Sequence, residues 1–144
     1  YITYNYLTEK NVSKEQKLLL WYNSKQEVNR MIKIDEKEFH CPVELTLDII
    51  NDKSKIFIVY ILLGGQKRFK DICEAFPQIT QKTVTQKLKE LEASHIIERT
   101  VFAEVPPRVE YALSPIGREL EKVLGSMHAF GEAYAAKYGC KKEH

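Results

Sequence analysis

The chain predicts an α+β fold that is mainly α, and three observations carry that prediction. Over Thr80 to Glu92, a helical advance of about 100° per residue gathers Val84, Leu88 and Leu91 on one side and Lys82, Thr85, Gln86 and Lys89 on the other. Arg108 to Leu113 alternates instead, with Val109, Tyr111 and Leu113 on one face and Arg108 and Glu110 on the other, as a half-buried strand does. Further on, Ile116, Leu120, Val123, Leu124, Met127, Phe130 and Tyr134 recur at three- and four-residue steps, the signature of a long amphipathic helix.

Taken in order, the elements begin with an aromatic, alternating start from Tyr1 to Leu7 that reads as a short strand. Ser13-Lys14-Glu15-Gln16 has the capping-box pattern and opens a helix running on to Met31 and Ile32. Its apolar members Leu18, Trp21, Tyr22 and Val28 need cover, from the parent domain or from a partner subunit. Pro42 suits the first position of a helix, which sets Cys41 at that helix's N-terminus. Ile56 to Leu63, closed by Gly64-Gly65, fits a buried strand or a buried helix; its β-branched content taken alone favours strand. Phe69, Ile72 and Phe76 then fall at helical intervals until Pro77 stops the run, and Thr80 is a good N-cap for the helix that follows.

Glu98 to Ala103 and Arg108 to Leu113 form a hairpin whose connection holds Pro106 and Pro107. The two prolines fix φ and remove backbone donors, so the tip is stiff and strand pairing ends there. Helix, turn, helix and hairpin in this order make the plan of a winged helix-turn-helix with a β-hairpin wing. Ser114-Pro115 caps the last helix. The residue types on the outer face of the 80–92 helix are those that contact base edges and phosphates in a major groove, and that stripe holds no acid.

These residues carry a family resemblance. From Cys41 to about Leu124 the chain resembles the HxlR-type family of bacterial winged-helix transcriptional regulators, relatives of the MarR group. The matching strings are Cys41-Pro42-Val43-Glu44, Thr46-Leu47-Asp48, Lys67-Arg68-Phe69, Thr80-Gln81-Lys82 with Thr85-Gln86, Glu98-Arg99-Thr100, Val105-Pro106-Pro107-Arg108-Val109-Glu110-Tyr111 and Ser114-Pro115-Ile116-Gly117. One element departs from the pattern, since Ser54 stands where the family has a tryptophan. The resemblance implies that Ile56 to Leu63 is helix. It also implies pairing through terminal helices, with two reading helices presented to successive major grooves of a palindromic site.

Composition excludes several other functions. Of the 144 residues, 44% are hydrophobic and 29% charged, which suits one soluble domain with a single core. No apolar run approaches the ~20 residues of a membrane span and nothing resembles a signal peptide, so no membrane association and a cytoplasmic location are expected. Net charge is only +2, so nucleic-acid binding must come from the placement of charge rather than its sum. Affinity that depends on phosphate neutralisation should fall steeply with salt.

Cys41, Cys73 and Cys140 include no CxxC pair, and His40, His95, His128 and His144 are dispersed. No metal site and no cofactor are expected. There is no phosphate loop or nucleophile signature, and no enzyme activity is expected. A sulfur at a helix N-terminus is favoured as thiolate, and members of the family use a cysteine matching Cys41 to sense oxidants or electrophiles. Glu44 one turn on opposes a second negative charge there, and a small apolar filler is the competing reading of Cys41.

The expected organisation is an N-terminal extension with one helix at 1–39, a winged helix-turn-helix DNA-binding domain at 40–113 and a C-terminal dimerisation helix at 114–144. The function expected is a sequence-specific DNA-binding transcriptional regulator, a repressor, acting as a homodimer on a palindromic operator of double-stranded DNA and responsive to redox chemistry through Cys41. DNA contacts are expected from Arg68, Lys70, Thr80, Gln81, Lys82, Thr85, Gln86, Lys89, Pro107 and Arg108. The dimer interface is expected at Leu120, Val123, Leu124, Met127, Phe130 and Tyr134. The alternative is a winged-helix module for protein–protein interaction, which the near-neutral charge keeps open.

Overall fold

The computed structural model describes Ser13 and residues 31–139. The strand expected at Tyr1–Leu7, the helix expected after Ser13 as far as residue 30, Cys140 and His144 lie outside the described residues; the expected run of that helix to Ile32 is corrected, since Ile32 opens a strand. The chain divides into two compact units, 1–48 and 49–144.

In the first unit, β1 (Ile32–Ile34) and β2 (Lys37–Phe39) pair antiparallel around a turn in which Asp35 takes φ 51. Aspartate tolerates that left-handed conformation better than most residues. Sequence periodicity passes over this hairpin because three-residue strands carry almost no pattern. It leads to α1 (Pro42–Ile49), with Lys37 reaching Asp48 at 2.8 Å.

The second unit starts with α2 (Lys53–Leu63), capped by Asp52, whose side chain accepts from the Lys55 backbone N–H. It is a helix, as the resemblance implies and propensity does not. Ile58, Val59 and Leu62 fall on its buried face, and that burial outweighs the few tenths of a kcal/mol that each β-branched residue costs. A two-residue strand, β3 (Lys67–Arg68), precedes α3 (Phe69–Ala75). Then come α4 (Gln81–Ala93), β4 (Ile97–Phe102) and β5 (Arg108–Leu113).

The sheet order is β3-β5-β4, antiparallel throughout, with Arg68 opposite Glu110 and Phe102 opposite Arg108. The hairpin is therefore a three-stranded sheet with β5 in the middle. β5 is half-buried along its length, as expected, and β3 adds a second neighbour at Glu110 and Tyr111.

The core joins Ile58 and Leu62 of α2, Ile72 of α3, Val84, Leu88 and Leu91 of α4, and Ile97 and Leu113 of the sheet. α5 (Pro115–Arg118) and α6 (Leu120–Tyr138) follow, separated at Glu119. Ser114 makes the junction: its hydroxyl donates to the His95 carbonyl at 2.6 Å and accepts the Gly117 N–H at 3.0 Å. Gly117 must be glycine here, since a Cβ would lie 2.1 Å from the Ile96 carbonyl oxygen.

The terminal apolar stripe divides. Leu120 and Leu124, each 8% exposed, close the core of their own chain, and Val123 packs at its edge. Side chains so buried have little surface left for the subunit interface expected of them. Met127, Phe130 and Tyr134 are exposed, as is Tyr138 beyond them. Among the described residues no helix is long and apolar enough to cross a membrane.

Candidate nucleic-acid interface

α4 is held from behind and open in front. Val84, Leu88 and Leu91 are buried, while Gln81, Lys82, Thr85, Gln86 and Lys89 are all exposed. The N-terminus is capped by Thr80, whose Oγ1 accepts the Thr83 N–H at 3.2 Å. The Thr85 hydroxyl donates to the Gln81 carbonyl at 2.8 Å, which fixes its rotamer without hiding its oxygen from the surface. Lys82, Thr85, Gln86 and Lys89 line one open groove along the helix.

A charged network invisible to the sequence reading bolts α4 to α2. Lys55, with only 6% of its side chain exposed, places its ammonium 3.0 Å from Glu90. Lys87 bridges Glu90 at 3.1 Å and Asp52 at 2.8 Å. The Gln86 amide also donates to Glu90, at 3.0 Å. Gln86, the Lys55 ammonium and Lys87 together outweigh burial and hold the Glu90 carboxyl down at about 2. Burial pushes Asp52 up, yet Lys87 and the helix N-terminal N–H groups leave it below its usual value. Glu90 thus pairs with Lys55 and Lys87 toward α2 and touches the outer stripe through the Gln86 amide. Only the Lys87–Glu90 helical spacing hints at this in the sequence, since Lys55 lies on a different helix, far from Glu90 along the chain.

The wing places Arg108 at the start of β5, where the expected strand begins. The tip is Val105-Pro106-Pro107, all exposed, whereas Arg108 is the first residue of β5 and its side chain is only 27% exposed. Its Nη1 donates to Glu110 at 2.6 Å, and its Nη2 and Nε donate to Glu104 at 2.9 and 3.2 Å. Its guanidinium lies over the Phe102 ring at 3.9 Å. Glu110 also accepts from Gln66 and lies 3.6 Å from Arg68. Burial pushes the Glu110 carboxyl up, but these donors more than offset it and its affinity for a proton is lowered.

Arg68, Lys70 and Arg108 border one open cleft between the wing and the start of α3. Lys70 is exposed, 3.5 Å from Glu74. The expected contacts thus fall on two surfaces of the second unit, the α4 stripe and the wing cleft.

Cys41 sits at the N-cap of α1. Its sulfur accepts the Glu44 N–H at 3.4 Å, while the Glu44 carboxylate turns back to accept the His40 N–H at 2.7 Å. That carboxylate is therefore occupied with His40 rather than simply opposed to the sulfur. Cys73, on α3, has its thiol pushed up by burial and by Glu74, in keeping with a filler.

Residues 49–138 match the family model described as HxlR-like helix-turn-helix, a match that begins after Cys41. The chain is 46% identical over 109 residues to the uncharacterized HTH-type transcriptional regulator YdeP of Bacillus subtilis, covering 74% of this chain and 85% of that protein. Among solved structures, the redox regulator HypR in its oxidized form is 45% identical with a TM-score of 0.60, over 65% of this chain and 96% of that one. The reduced form of YodB from B. subtilis is 35% identical with a TM-score of 0.58, over 72% and 98%. YodB has also been solved after diamide treatment and bound to quinone.

Proposed function

The chain belongs to the HxlR-like helix-turn-helix family, and from that premise we propose that it is a regulator that reads a palindromic operator as a homodimer, with α4 in the major groove. As a member of this family it is a DNA-binding transcriptional regulator rather than an enzyme. The observation that carries the proposal is the acid-free stripe of Gln81, Lys82, Thr85, Gln86 and Lys89. It is exposed on a helix whose opposite face is buried and ion-paired. In this reading Thr80 and Gln81 lie at the helix N-terminus against a phosphate, and Lys82, Thr85 and Gln86 face base edges. Lys89, Arg68, Lys70, Pro107 and Arg108 follow the backbone. Met127, Phe130 and Tyr134 of α6 supply the contact between subunits, and binding acts to repress.

Cys41 is proposed as the responsive thiol. Support comes from its sulfur at the N-cap of α1, and from relatives named a redox regulator or solved with diamide and quinone.

The test is selection of duplexes from a random pool, followed by band shifts. A preferred, symmetric sequence is expected. Lys82→Ala should weaken binding by about 1–3 kcal/mol with its thermal midpoint unchanged. Failure of the wild-type chain to enrich any duplex would remove the DNA-reading assignment. For Cys41, diamide should lower operator affinity in the wild type and leave Cys41→Ser unaffected; equal losses in both would clear Cys41 of the role.

A further inference from the structure

Arg108 is bound by two acids in unlike positions. Glu110 is interior, with 13% of its side chain exposed, and it is shared with Gln66 and Arg68. Glu104 is on the outer loop, 53% exposed, and one of its oxygens takes both Nε and Nη2 of the arginine. That Nε/Nη2 edge is one of the forked edges a guanidinium offers to a phosphate, the other includes the Nη1 that Glu110 holds, and a carboxylate at the first occupies the same donors. The Phe102 ring covers one flat face of the guanidinium and Glu110 holds its inner nitrogen. A phosphate entering the cleft beside Arg68 and Lys70 can meet the forked edge of Arg108 only where Glu104 now sits.

We propose that Glu104 is an internal stand-in for DNA phosphate, holding the forked edge of Arg108 in the free protein and yielding it when a duplex backbone enters the wing cleft. Glu104 then sets the strength of the wing contact on every sequence alike, because backbone contacts carry no base information. It lowers non-specific binding and leaves discrimination to α4. The exchange stays local, since Phe102 and Glu110 keep the guanidinium in place while its outer partner changes.

This inference rests on the reading of the chain as a DNA-binding regulator, and the experiment separates the two. The probe is a short duplex of arbitrary sequence, titrated at several salt concentrations with the full chain. Glu104→Gln is expected to bind about three- to fivefold tighter, the size of one exposed ion pair released. Its salt dependence should steepen by up to about one ion. In an Arg108→Met background, which removes the guanidinium and keeps an unbranched side chain there, the same substitution should yield no gain. A gain of equal size there would make Glu104 a general repulsive charge and overturn the proposal, as would unchanged binding by Glu104→Gln while the wild type binds. Absence of binding by both proteins at low salt would overturn the DNA-binding reading and the inference with it.

Discussion

Replacing Glu90 by alanine strands the Lys55 ammonium on the inner side of α4. Lys87 keeps Asp52 at 2.8 Å, but Lys55, with 6% of its side chain exposed, loses the carboxylate 3.0 Å away. Breaking a buried pair by removing one member costs about 3–5 kcal/mol. Because Glu90 is itself 31% exposed, water reaches the gap and the loss should be nearer ~2–3 kcal/mol. For a domain of this size that lowers the thermal midpoint by roughly 10–20 °C. Lys55→Met removes the buried charge itself and fills its space, leaving Glu90 with Gln86 and Lys87, so it should cost under about 1 kcal/mol. The double variant should recover most of what Glu90→Ala loses. Calorimetry or denaturant titration on the four proteins measures the coupling. Equal, small effects of both single variants, or a double that sums them, would refute the claim that Lys55 depends on Glu90.

The same carboxylate predicts acid behaviour. Glu90 is held at about 2 in the folded chain against 4.5 unfolded, so its contribution is complete above 4.5 and is lost as pH falls from there toward 2. After allowance for exposure this is about 1–2 kcal/mol, and Glu90→Gln should flatten the stability–pH curve in that window, as followed by urea titrations. Gly117→Ala should destabilise by about 2–3 kcal/mol in chemical unfolding, since its Cβ meets a backbone oxygen at 2.1 Å that no side-chain rotation relieves. Phe130→Glu, at a 71% exposed position, should leave the monomer's folding intact while turning a dimer into a monomer in sedimentation. Leu124→Ala should instead cost about 2–4 kcal/mol of unfolding free energy.

Much of the second unit can be read from residue order. Val84, Leu88 and Leu91 announce the buried face of α4, Thr80 its cap, and Ser114-Pro115 the start of the terminal helices, because each rests on local periodicity or capping chemistry. Ile56 to Leu63 could not be settled that way; its helical state reflects burial against elements distant in sequence, which β propensity does not encode. β3 escaped notice because two residues make no pattern. The division of the α6 stripe at Val123 is likewise set by where the core ends, a tertiary fact. The outer stripe of α4 was legible as chemistry, whereas the pairing of Arg108 with Glu104 and Glu110 was not, because those partners come together only through the folded hairpin.

The two-residue strand β3 has a consequence for how tolerant this scaffold is of length changes. Pairing of Lys67 with Tyr111 and Arg68 with Glu110 ties the entry of α3 to the middle of the wing. A single residue inserted at Gly65 and absorbed by a slip in that pairing would turn Arg68 to the opposite face of the sheet. The segment joining α2 to β3 is therefore a ruler, and drift in its length should be tolerated far less than drift at the wing tip.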